Sequence, residues 1–327
     1  MSIREAVLGC GRWGSFHLWY GHRSGNSVIG WEPEGNPHYE RLRLTGRNSY
    51  LQLPAEVELT EDLDDVAGSD VVVVTVPAQS FRSLCRTLSG LDLSSSDLVL
   101  CMKGIERGTG MRLSEISLQE GVSPRSLSVW VGPGHPQQFV AGVPSCMIVA
   151  SGKEEDALRV SSIFSTDLIR FYRSRDLTGC EVGAATKNIV GIAAGLLDGL
   201  NLSGLKGALM ARAPQEVARL VRAMGGDWRS VYGLSHLGDY EATLFSPYSH
   251  NRMYGEALAR GGNTEDIPLA EGVDTATATI ELAAGHGVDM PITSTVTKII
   301  EGEMPVREAL AELFARPEKE EFSSELC

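Results

Sequence analysis

The sequence predicts an α/β protein in which a doubly wound parallel sheet is followed by an all-α C-terminal domain. Short apolar runs alternate with helix-like segments through the first half of the chain, as in a parallel sheet with helical crossovers. A glycine-rich loop follows the first apolar run, and the strand signals end near residue 179. A chain of 327 residues is long enough for two domains of ordinary size.

The first predicted strand, residues 3–8, runs directly into the loop Gly9-Cys10-Gly11-Arg12-Trp13-Gly14. In such a loop Gly9 permits a tight turn, Gly11 lets the backbone approach a pyrophosphate, and Gly14 lets the next helix pack closely on the sheet. The N-terminus of that helix presents unpaired N–H groups to the anion. The loop therefore predicts a Rossmann-type dinucleotide-binding domain, although a plain glycine turn has the same local pattern.

Glu32 follows the second predicted strand, residues 27–31, at about the 20-residue spacing of an acid that binds the adenosine ribose. A carboxylate at this position repels a 2′-phosphate, so it favours NAD over NADP. The alternative interpretation is a solvated glutamate beside Pro33.

The remaining elements follow from short β-branched runs and from helical spacing. Further strands are predicted at residues 70–76, 98–102, 127–131, 146–150 and 169–172. Helices are predicted at residues 182–200, 209–224, 251–260 and 273–285. We therefore expect a dinucleotide-binding domain at 1–178, a helical substrate and catalytic domain at 179–316, and a frayed acidic tail at 317–327.

Charge and cysteine usage exclude several classes of partner. The net charge of −13 repels nucleic acid, so an anionic substrate would need a local cationic pocket. The six cysteines form no C-x-x-C pair and no zinc-like spacing, which predicts a reducing compartment and no metal. No uncharged apolar run reaches about 18 residues, and the first residues do not resemble a signal peptide. We expect a cytoplasmic protein without a membrane span.

Lys187 and Asn188 lie in a stretch of small apolar residues, 183–195. Burial disfavours the charged form of an amine and lowers its pKa, so Lys187 would exchange protons near neutral pH. Combined with a dinucleotide loop, this lysine predicts hydride transfer at a carbon that bears a hydroxyl, with the amine as general acid and base. The alternative is a lysine that extends from a helix end into solvent.

With these residues identified, the chain resembles the NAD(P)-dependent glycerol-3-phosphate dehydrogenase family from residue 3 to about residue 310. Besides the glycine loop and Lys187-Asn188, the matching segments are Val76-Pro77-Ala78-Gln79, Lys103-Gly104-Ile105-Glu106, Gly132-Pro133, Arg212, Gly238-Asp239, Thr243, Asn251 and Glu271-Gly272-Val273. The resemblance implies NAD-dependent interconversion of dihydroxyacetone phosphate and sn-glycerol 3-phosphate at the entry to phospholipid synthesis. It also implies a cytoplasmic homodimer.

The resemblance further implies roles for individual residues. Lys187 would be the general acid and base, Asp239 would orient its amine, and Lys103 would bind substrate beside the nicotinamide. The other implied substrate-binding residues are Asn188, Thr243, His250, Asn251 and Arg252. The implied cofactor-binding residues are Gly9, Gly11, Arg12, Trp13, Gly14, Glu32, Pro77, Lys103, Glu271 and Val273. Two alternatives stay open, a solvent-exposed loop lysine at 103 and a helix N-cap at Asp239.

The substrate side departs from the family pattern. His250 stands between Ser249 and Asn251 where the family usually has an arginine that clamps the phosphate with its rigid fork. His250 could contact phosphate, fill a partly buried site or lie on the surface. The other departures are Met102, Gly134-His135-Pro136 and Lys206-Gly207, where Lys206 or Arg252 could replace the missing charge. These changes leave open a paralogue acting on another small hydroxy compound, while a non-catalytic NAD sensor fits the retained lysines poorly.

Overall fold

The computed structural model describes residues 2–318 and 320–321 and divides into two compact units. The first unit contains the residues up to Met102 together with Leu113–Leu177, and the second contains Lys103–Arg112 and the residues from Thr178 onward. The sequence groups residues 103–112 with the first domain, but Ile105 lies in a buried cluster with residues of the second unit. The predicted frayed tail falls in part on Lys319 and residues 322–327, which lie outside the described residues.

Among the described residues of the first unit, eight strands form one sheet. They are Arg4–Leu8 (β1), Ser27–Trp31 (β2), Glu58–Thr60 (β3), Val71–Val74 (β4), Asp97–Leu100 (β5), Ser126–Val131 (β6), Ser145–Ser151 (β7) and Ile169–Ser174 (β8). Their order, β3-β2-β1-β4-β5-β6-β7-β8, begins with that of a dinucleotide-binding sheet. Leu8 at the end of β1 pairs with Trp31 on one side and Val74 on the other. The glycine loop therefore starts where the strand order reverses, the point at which such sheets bind ligands.

The prediction of a parallel sheet is wrong for the last two strands. β7 pairs antiparallel with β6, with Trp130 opposite Val149, and β8 runs parallel to β7. The connection between β6 and β7 contains only a five-residue helix, Pro136–Val140. A parallel return needs a longer crossover that runs back along the sheet. Gly132 and Gly134, with φ of 136° and 144°, turn the chain in this connection.

Aromatic side chains hold the first helix of this unit in place. The helices of the unit are Arg12–Arg23 (α1), Pro37–Thr45 (α2), Phe81–Leu88 (α3), Leu113–Gln119 (α4), Pro136–Val140 (α5) and Glu154–Ile163 (α6). Phe16 of α1 stacks on Phe139 with ring centroids 5.2 Å apart, and Tyr20 of α1 meets Trp130 edge-on at 5.9 Å. These contacts fix the N-terminus of α1 at the glycine loop.

The second unit is built from helices that the sequence predicts in part. They are Leu177–Gly199 (α7), Lys206–Ala223 (α8), His250–Ala259 (α9), Gly272–Gly285 (α10), Pro291–Ile300 (α11) and Val306–Phe314 (α12). The structure confirms the four predicted helices, α7 to α10, and adds α11 and α12. Most residues of α11 are β-branched threonine, valine or isoleucine, so its composition does not favour a helix. Pro291 does occupy a favourable first position.

α7 is the central helix of the second unit. By length and composition it could cross a membrane, but 94% of that stretch is buried inside the protein, as in a core helix. Its small residues permit this burial. A Cβ on Gly195 would lie 2.0 Å from the carbonyl oxygen of Arg252, and a Cβ on Gly255 of α9 would lie 2.1 Å from that of Ile192. α7 and α9 therefore touch backbone to backbone, which fixes their register.

Candidate active site

The Lys187 ammonium lies near the middle of α7, in a residue that is only 7% exposed. Its Nζ forms an ion pair with Oδ2 of Asp239 at 2.8 Å and donates to Oγ1 of Thr243 at 2.7 Å. Thr243 Oγ1 in turn donates to the carbonyl oxygen of Asp239 at 2.7 Å. Burial lowers the pKa of Lys187 to about 8, although the charge of Asp239 opposes this shift. The amine is therefore held in one place and can gain or lose a proton near neutral pH.

The Asp239 carboxylate is shared by two ammonium groups. Its Oδ2 also accepts a hydrogen bond from Lys103 Nζ at 2.9 Å. Its Oδ1 is buried without a hydrogen-bond partner among the residues that the structure describes. Asp239 does not cap a helix, because it ends the 3₁₀ turn Leu237–Asp239 and a π-helical turn, Glu241–Phe245, follows. The carboxylate instead organises two cations and keeps one buried acceptor.

Two contacts hold the segment that carries Lys103 against α7. The side-chain amide of Asn188 donates to the carbonyl oxygen of Lys103 at 3.1 Å. At the other end of the segment, Arg112 forms a mostly buried ion pair with Glu181 of α7 at 2.7 Å. Since Asn188 directly follows Lys187, the structure brings the predicted residues Lys103, Lys187 and Asn188 together.

The three predicted residues at the start of α9 have different surroundings. His250 is the first residue of the helix and is half-buried. Asn251 Oδ1 accepts a hydrogen bond from the backbone N–H of Gly272 at 2.9 Å, which joins α9 to the start of α10. The Arg252 guanidinium bonds the carboxylate of Asp198 at 2.6 Å. The amide oxygen of Asn251 and the charge of Arg252 are thus engaged within the unit.

Asp198, near the end of α7, is a carboxylate without a predicted role. Its Oδ2 accepts from Lys206 Nζ at 2.7 Å as well as from Arg252. Lys206 Nζ also donates to the carbonyl oxygen of Leu244 at 2.9 Å and lies 4.9 Å from the Phe245 ring centroid. Burial of Asp198 would raise its pKa, but the hydrogen bond from Lys206 is one of several that lower it overall. Both cations suggested as replacements for the arginine therefore pair with this one carboxylate.

Glu271 and Val273, the predicted cofactor residues of this unit, flank the start of α10. Glu271 immediately precedes that helix, and its negative charge raises the pKa of Lys187. Val273 is half-buried against the apolar cluster that contains α7. Glu271 therefore acts on the amine through its charge, whereas Val273 contributes to the packing of the apolar cluster.

Two further buried polar residues flank Asp239 and are absent from the sequence prediction. His236 and Tyr240 are both about 1% exposed or less, and the Tyr240 hydroxyl lies 2.6 Å from Nε2 of His236. A histidine among small and apolar neighbours, Ser235 to Gly238, carries the same kind of signal as Lys187 does in α7.

In the first unit, the three glycines of the loop differ in how closely other atoms surround them. Gly9 has φ of 95°, and a Cβ there would lie 2.9 Å from the backbone nitrogen of Val76. A Cβ on Gly14 would lie 1.7 Å from the carbonyl oxygen of Gly9. A Cβ on Gly11 would meet no atom within 4 Å, so the backbone is open on this side. Packing thus requires two of the glycines, and the third leaves the helix N-terminus accessible to an anion.

Glu32 is held beside this loop. One carboxylate oxygen accepts from the backbone N–H of Cys10, and the other accepts from the side-chain amide of Asn36 at 2.8 Å. The carboxylate is therefore anchored at the end of β2, unlike a freely solvated glutamate.

The other predicted cofactor residues of this unit are Arg12, Trp13 and Pro77. Arg12 donates to Gln137 Oε1 at 2.9 Å, and Trp13 packs edge-on against Phe16 at 5.6 Å between ring centroids. Pro77 is exposed just before a short 3₁₀ turn. Arg12 and Trp13 thus help to hold the loop, and Pro77 presents an exposed surface beyond β4.

Two family models match this chain. The N-terminal model of NAD-dependent glycerol-3-phosphate dehydrogenase covers residues 5–157, and the C-terminal model covers residues 176–311. The chain belongs to the NAD-dependent glycerol-3-phosphate dehydrogenase family. The predicted family, the α/β fold class and the NAD cofactor are confirmed, and this dehydrogenase is an oxidoreductase that acts on a CH–OH group.

Relatives match the dehydrogenase over nearly its full length. Glycerol-3-phosphate dehydrogenase [NAD(P)+] from Prosthecochloris aestuarii is 37% identical over 97% of this chain and 99% of its own. The protein of the same name from Moorella thermoacetica is 36% identical over 98% of both chains. The crystal structure of glycerol-3-phosphate dehydrogenase from Coxiella burnetii has a TM-score of 0.90 at 27% identity, covering 96% of this chain and 99% of that one.

Proposed function

We propose that this dehydrogenase interconverts sn-glycerol 3-phosphate and dihydroxyacetone phosphate with NAD, and that Lys187 is its general acid and base. The observation that carries the proposal is the buried Lys187 ammonium, bonded to Asp239 and Thr243, with a pKa of about 8. NAD, when bound, supplies the hydride acceptor and, when reduced, the hydride donor. The names of the relatives support the choice of substrate.

The proton chemistry falls to the Lys187 amine in both directions. In ketone reduction, the ammonium form stabilises the charge that develops on the carbonyl oxygen and delivers a proton to it. In alcohol oxidation, the neutral amine takes the hydroxyl proton. Asp239 Oδ2 and Thr243 Oγ1 hold Nζ during both reactions. Lys103, on the same carboxylate, adds a second positive charge for an anionic substrate.

We assign the substrate phosphate to the side of the site formed by Asn188, Thr243 and the start of α9. His250 and Asn251 begin that helix, whose N-terminus carries partial positive charge that favours an anion. Arg252 is a weaker candidate because Asp198 already neutralises it. The cofactor roles of Gly9, Gly11, Arg12, Trp13, Gly14, Glu32, Pro77, Lys103, Glu271 and Val273 belong to the same proposal.

The first experiment measures NADH oxidation by dihydroxyacetone phosphate in the wild type and in Lys187→Met. We expect kcat to fall at least about 100-fold, the usual contribution of a positioned acid or base. NADH binding, followed by its fluorescence, should persist. Lys298→Met is the matched control, since this lysine is a partly exposed residue of α11. A Lys187→Met enzyme within threefold of the wild-type kcat would contradict the proposal.

A second candidate function is the same hydride transfer on a small hydroxy compound with a different anionic group. The observation that favours it is His250 in place of an arginine, with Lys206 and Arg252 both paired to Asp198. Turnover of a non-phosphorylated hydroxy acid, without turnover of dihydroxyacetone phosphate, would support this candidate. If the first proposal holds, His250→Arg should lower KM for dihydroxyacetone phosphate, and a raised KM would count against His250 as a phosphate contact.

The family resemblance also supports a homodimer in the cytoplasm. Light scattering during size-exclusion chromatography tests the first point. A homodimer has twice the chain mass of 35.2 kDa, whereas a peak at the mass of a single chain would exclude it under those conditions.

A further inference from the structure

His236 is a fully buried histidine that lies three residues before Asp239 and contacts α7. Its Nδ1 lies 2.8 Å from the carbonyl oxygen of Gly183 in α7, and its Nε2 lies 2.6 Å from the hydroxyl oxygen of Tyr240. The proton chemistry described above uses neither His236 nor Tyr240. Both nitrogens of the ring are therefore engaged by groups outside the Lys187–Asp239 pair.

These two partners determine the tautomer of His236. The Gly183 carbonyl oxygen can only accept, so Nδ1 carries the hydrogen, and Nε2 accepts from the hydroxyl of Tyr240. Burial lowers the pKa of His236 to about 4 and raises the pKa of Tyr240 well above its usual value. Both side chains stay neutral where Lys187 titrates, so they supply directional bonds without adding charge beside the amine.

The same two residues enclose Asp239 in a closed loop of bonds. The backbone N–H of Asp239 donates to the carbonyl oxygen of His236 at 3.0 Å. Tyr240 follows Asp239 in the chain, and its hydroxyl returns to the His236 ring. Because the Asp239 backbone lies inside this loop, that backbone can shift only if one of these bonds lengthens.

The bond to Gly183 connects that loop to the helix that carries Lys187. Gly183 precedes Lys187 by one helical turn of α7. A Cβ on Gly183 would lie 3.1 Å from Oγ of Ser235 and 3.2 Å from Cβ of His236, so the close approach depends on a glycine. Together with the bonds from Lys187 to Asp239 and Thr243, this contact sets the height of the Asp239 loop along α7 and its distance from the helix.

We propose that His236, held in one tautomer by Gly183 and Tyr240, is a positioning residue that sets the Lys187–Asp239 ion pair. The proposal rests on the proposed function, in which Lys187 Nζ holds and moves the proton. The groups that face His236 or its partner Tyr240 are Lys187, Asp239, Thr186, Glu216 and Tyr232.

Tyr240→Phe tests the proposal because it removes only the hydroxyl. The chain has six lysines, so NMR of ¹³C-labelled lysine side chains can follow each titration, and Lys187→Arg assigns the Lys187 signal. We expect the pKa of Lys187 to fall by about half a unit in Tyr240→Phe, since a looser Asp239 stabilises the ammonium less. Tyr20→Phe is the control: it also removes a buried tyrosine hydroxyl, one that donates to the carbonyl oxygen of Phe164 at 2.7 Å, and it should leave the pKa of Lys187 unchanged. An unchanged Lys187 pKa in Tyr240→Phe would overturn the proposal.

Gly183→Ala provides a second variant if Tyr240→Phe fails to fold. The added Cβ forces Ser235 and His236 away from α7 by a few tenths of an ångström. We expect the same downward shift of the Lys187 pKa. In both variants kcat for ketone reduction at pH 7.5 should fall by about 1.5-fold or more, the loss of protonated amine that a half-unit shift produces, with little change in KM for NADH. The midpoint of the kcat–pH profile should move with the NMR pKa, which a general loss of stability would not produce.

The NMR measurement also separates this proposal from the proposed function, because it needs no substrate. A wild type that turns over dihydroxyacetone phosphate, with an unchanged Lys187 pKa in both variants, would refute the positioning role alone. A shifted Lys187 pKa in an enzyme that does not use dihydroxyacetone phosphate would support the positioning role and contradict the proposed substrate.

Discussion

Asp239→Asn offers a sharp test of how the site controls its proton. The substitution keeps the size of the side chain and removes the charge that faces Lys187 at 2.8 Å and Lys103 at 2.9 Å. The charge of Asp239 is the largest of the effects that raise the pKa of Lys187, which is about 8 in the native site. Without that charge the pKa should fall. An opposite charge at such a distance commonly shifts a pKa by about 1 to 3 units, so the new value should lie between about 5 and 7.

The loss of activity follows from the fraction of Lys187 that carries a proton. At pH 7.5 a pKa of 8 leaves about three quarters of the amine protonated, whereas a pKa of 7 leaves about a quarter and a pKa of 5 leaves less than a hundredth. Ketone reduction needs the ammonium, so its rate at pH 7.5 should fall at least about threefold. Most of that loss should be recovered at lower pH if the new pKa is near 7.

The assay is kcat for NADH oxidation by dihydroxyacetone phosphate between pH 5.5 and 9. We expect the alkaline limb of the profile to move to lower pH in Asp239→Asn. Asp198→Asn is a matched control, because Asp198 is also a carboxylate that pairs with two cations, Lys206 and Arg252. It lies on the same helix as Lys187 but does not pair with it. The substitution should alter KM for the phosphate substrate and leave the midpoint of the profile in place. An alkaline limb that stays fixed or moves to higher pH in Asp239→Asn would refute the reasoning.

Two further predictions concern the first unit. Gly11→Ala should weaken NADH binding by about tenfold with little loss of stability, because its Cβ enters open space where the pyrophosphate approaches. Gly14→Ala should instead lower the melting temperature, because its Cβ meets the Gly9 carbonyl oxygen. NADH fluorescence measures the first effect and thermal unfolding the second, and equal melting temperatures for the two variants would contradict this prediction. Burial raises the pKa of Glu5 to about 8, against a hydrogen bond from Asn26 that lowers it. The protonated carboxyl is favoured in the fold, so its stability contribution is present below about pH 4.5 and is lost as pH rises through 8. Urea unfolding at pH 5 and pH 8 should show a loss of about 3 kcal/mol in the wild type that is absent in Glu5→Gln, and equal losses would contradict this account.

Elements that depend on local pattern could be predicted from the sequence. The strand from Val71 to Val74 and the glycine loop carry their structure in consecutive residues, and both appear where the pattern places them. The reversal of β7 could not be predicted in this way, since a strand has the same composition in either direction. The placement of residues 103–112 in the second unit likewise depends on the burial of Ile105 among distant residues.

The residues of the candidate site likewise differ in whether a local sequence pattern indicates them. Lys187 could be singled out because a charged residue in a small apolar stretch is a local signal. Its partner Asp239 lies 52 positions away and was identified only through the resemblance to a family. Asp198 pairs with Lys206 and Arg252 of other helices, and no spacing in the sequence indicates it. His236 has a local signal of its own in its small and apolar neighbours, but its partner Gly183 lies in a separate element. Buried polar networks of this kind become visible only when the helices are in place.

The glycines at the α7–α9 crossing restrict how this protein can change. At Gly195 and Gly255 even one added methyl group would lie about 2 Å from a carbonyl oxygen. Even the smallest substitution, glycine to alanine, is therefore excluded at these two positions unless the helices move apart. The Lys187 amine and the first turn of α9 keep their alignment because Gly195 and Gly255 have no side chain, and no other residue can replace them there. Selection for a new substrate would therefore act on side chains around that first turn, such as His250, and leave the spacing of the two helices untouched.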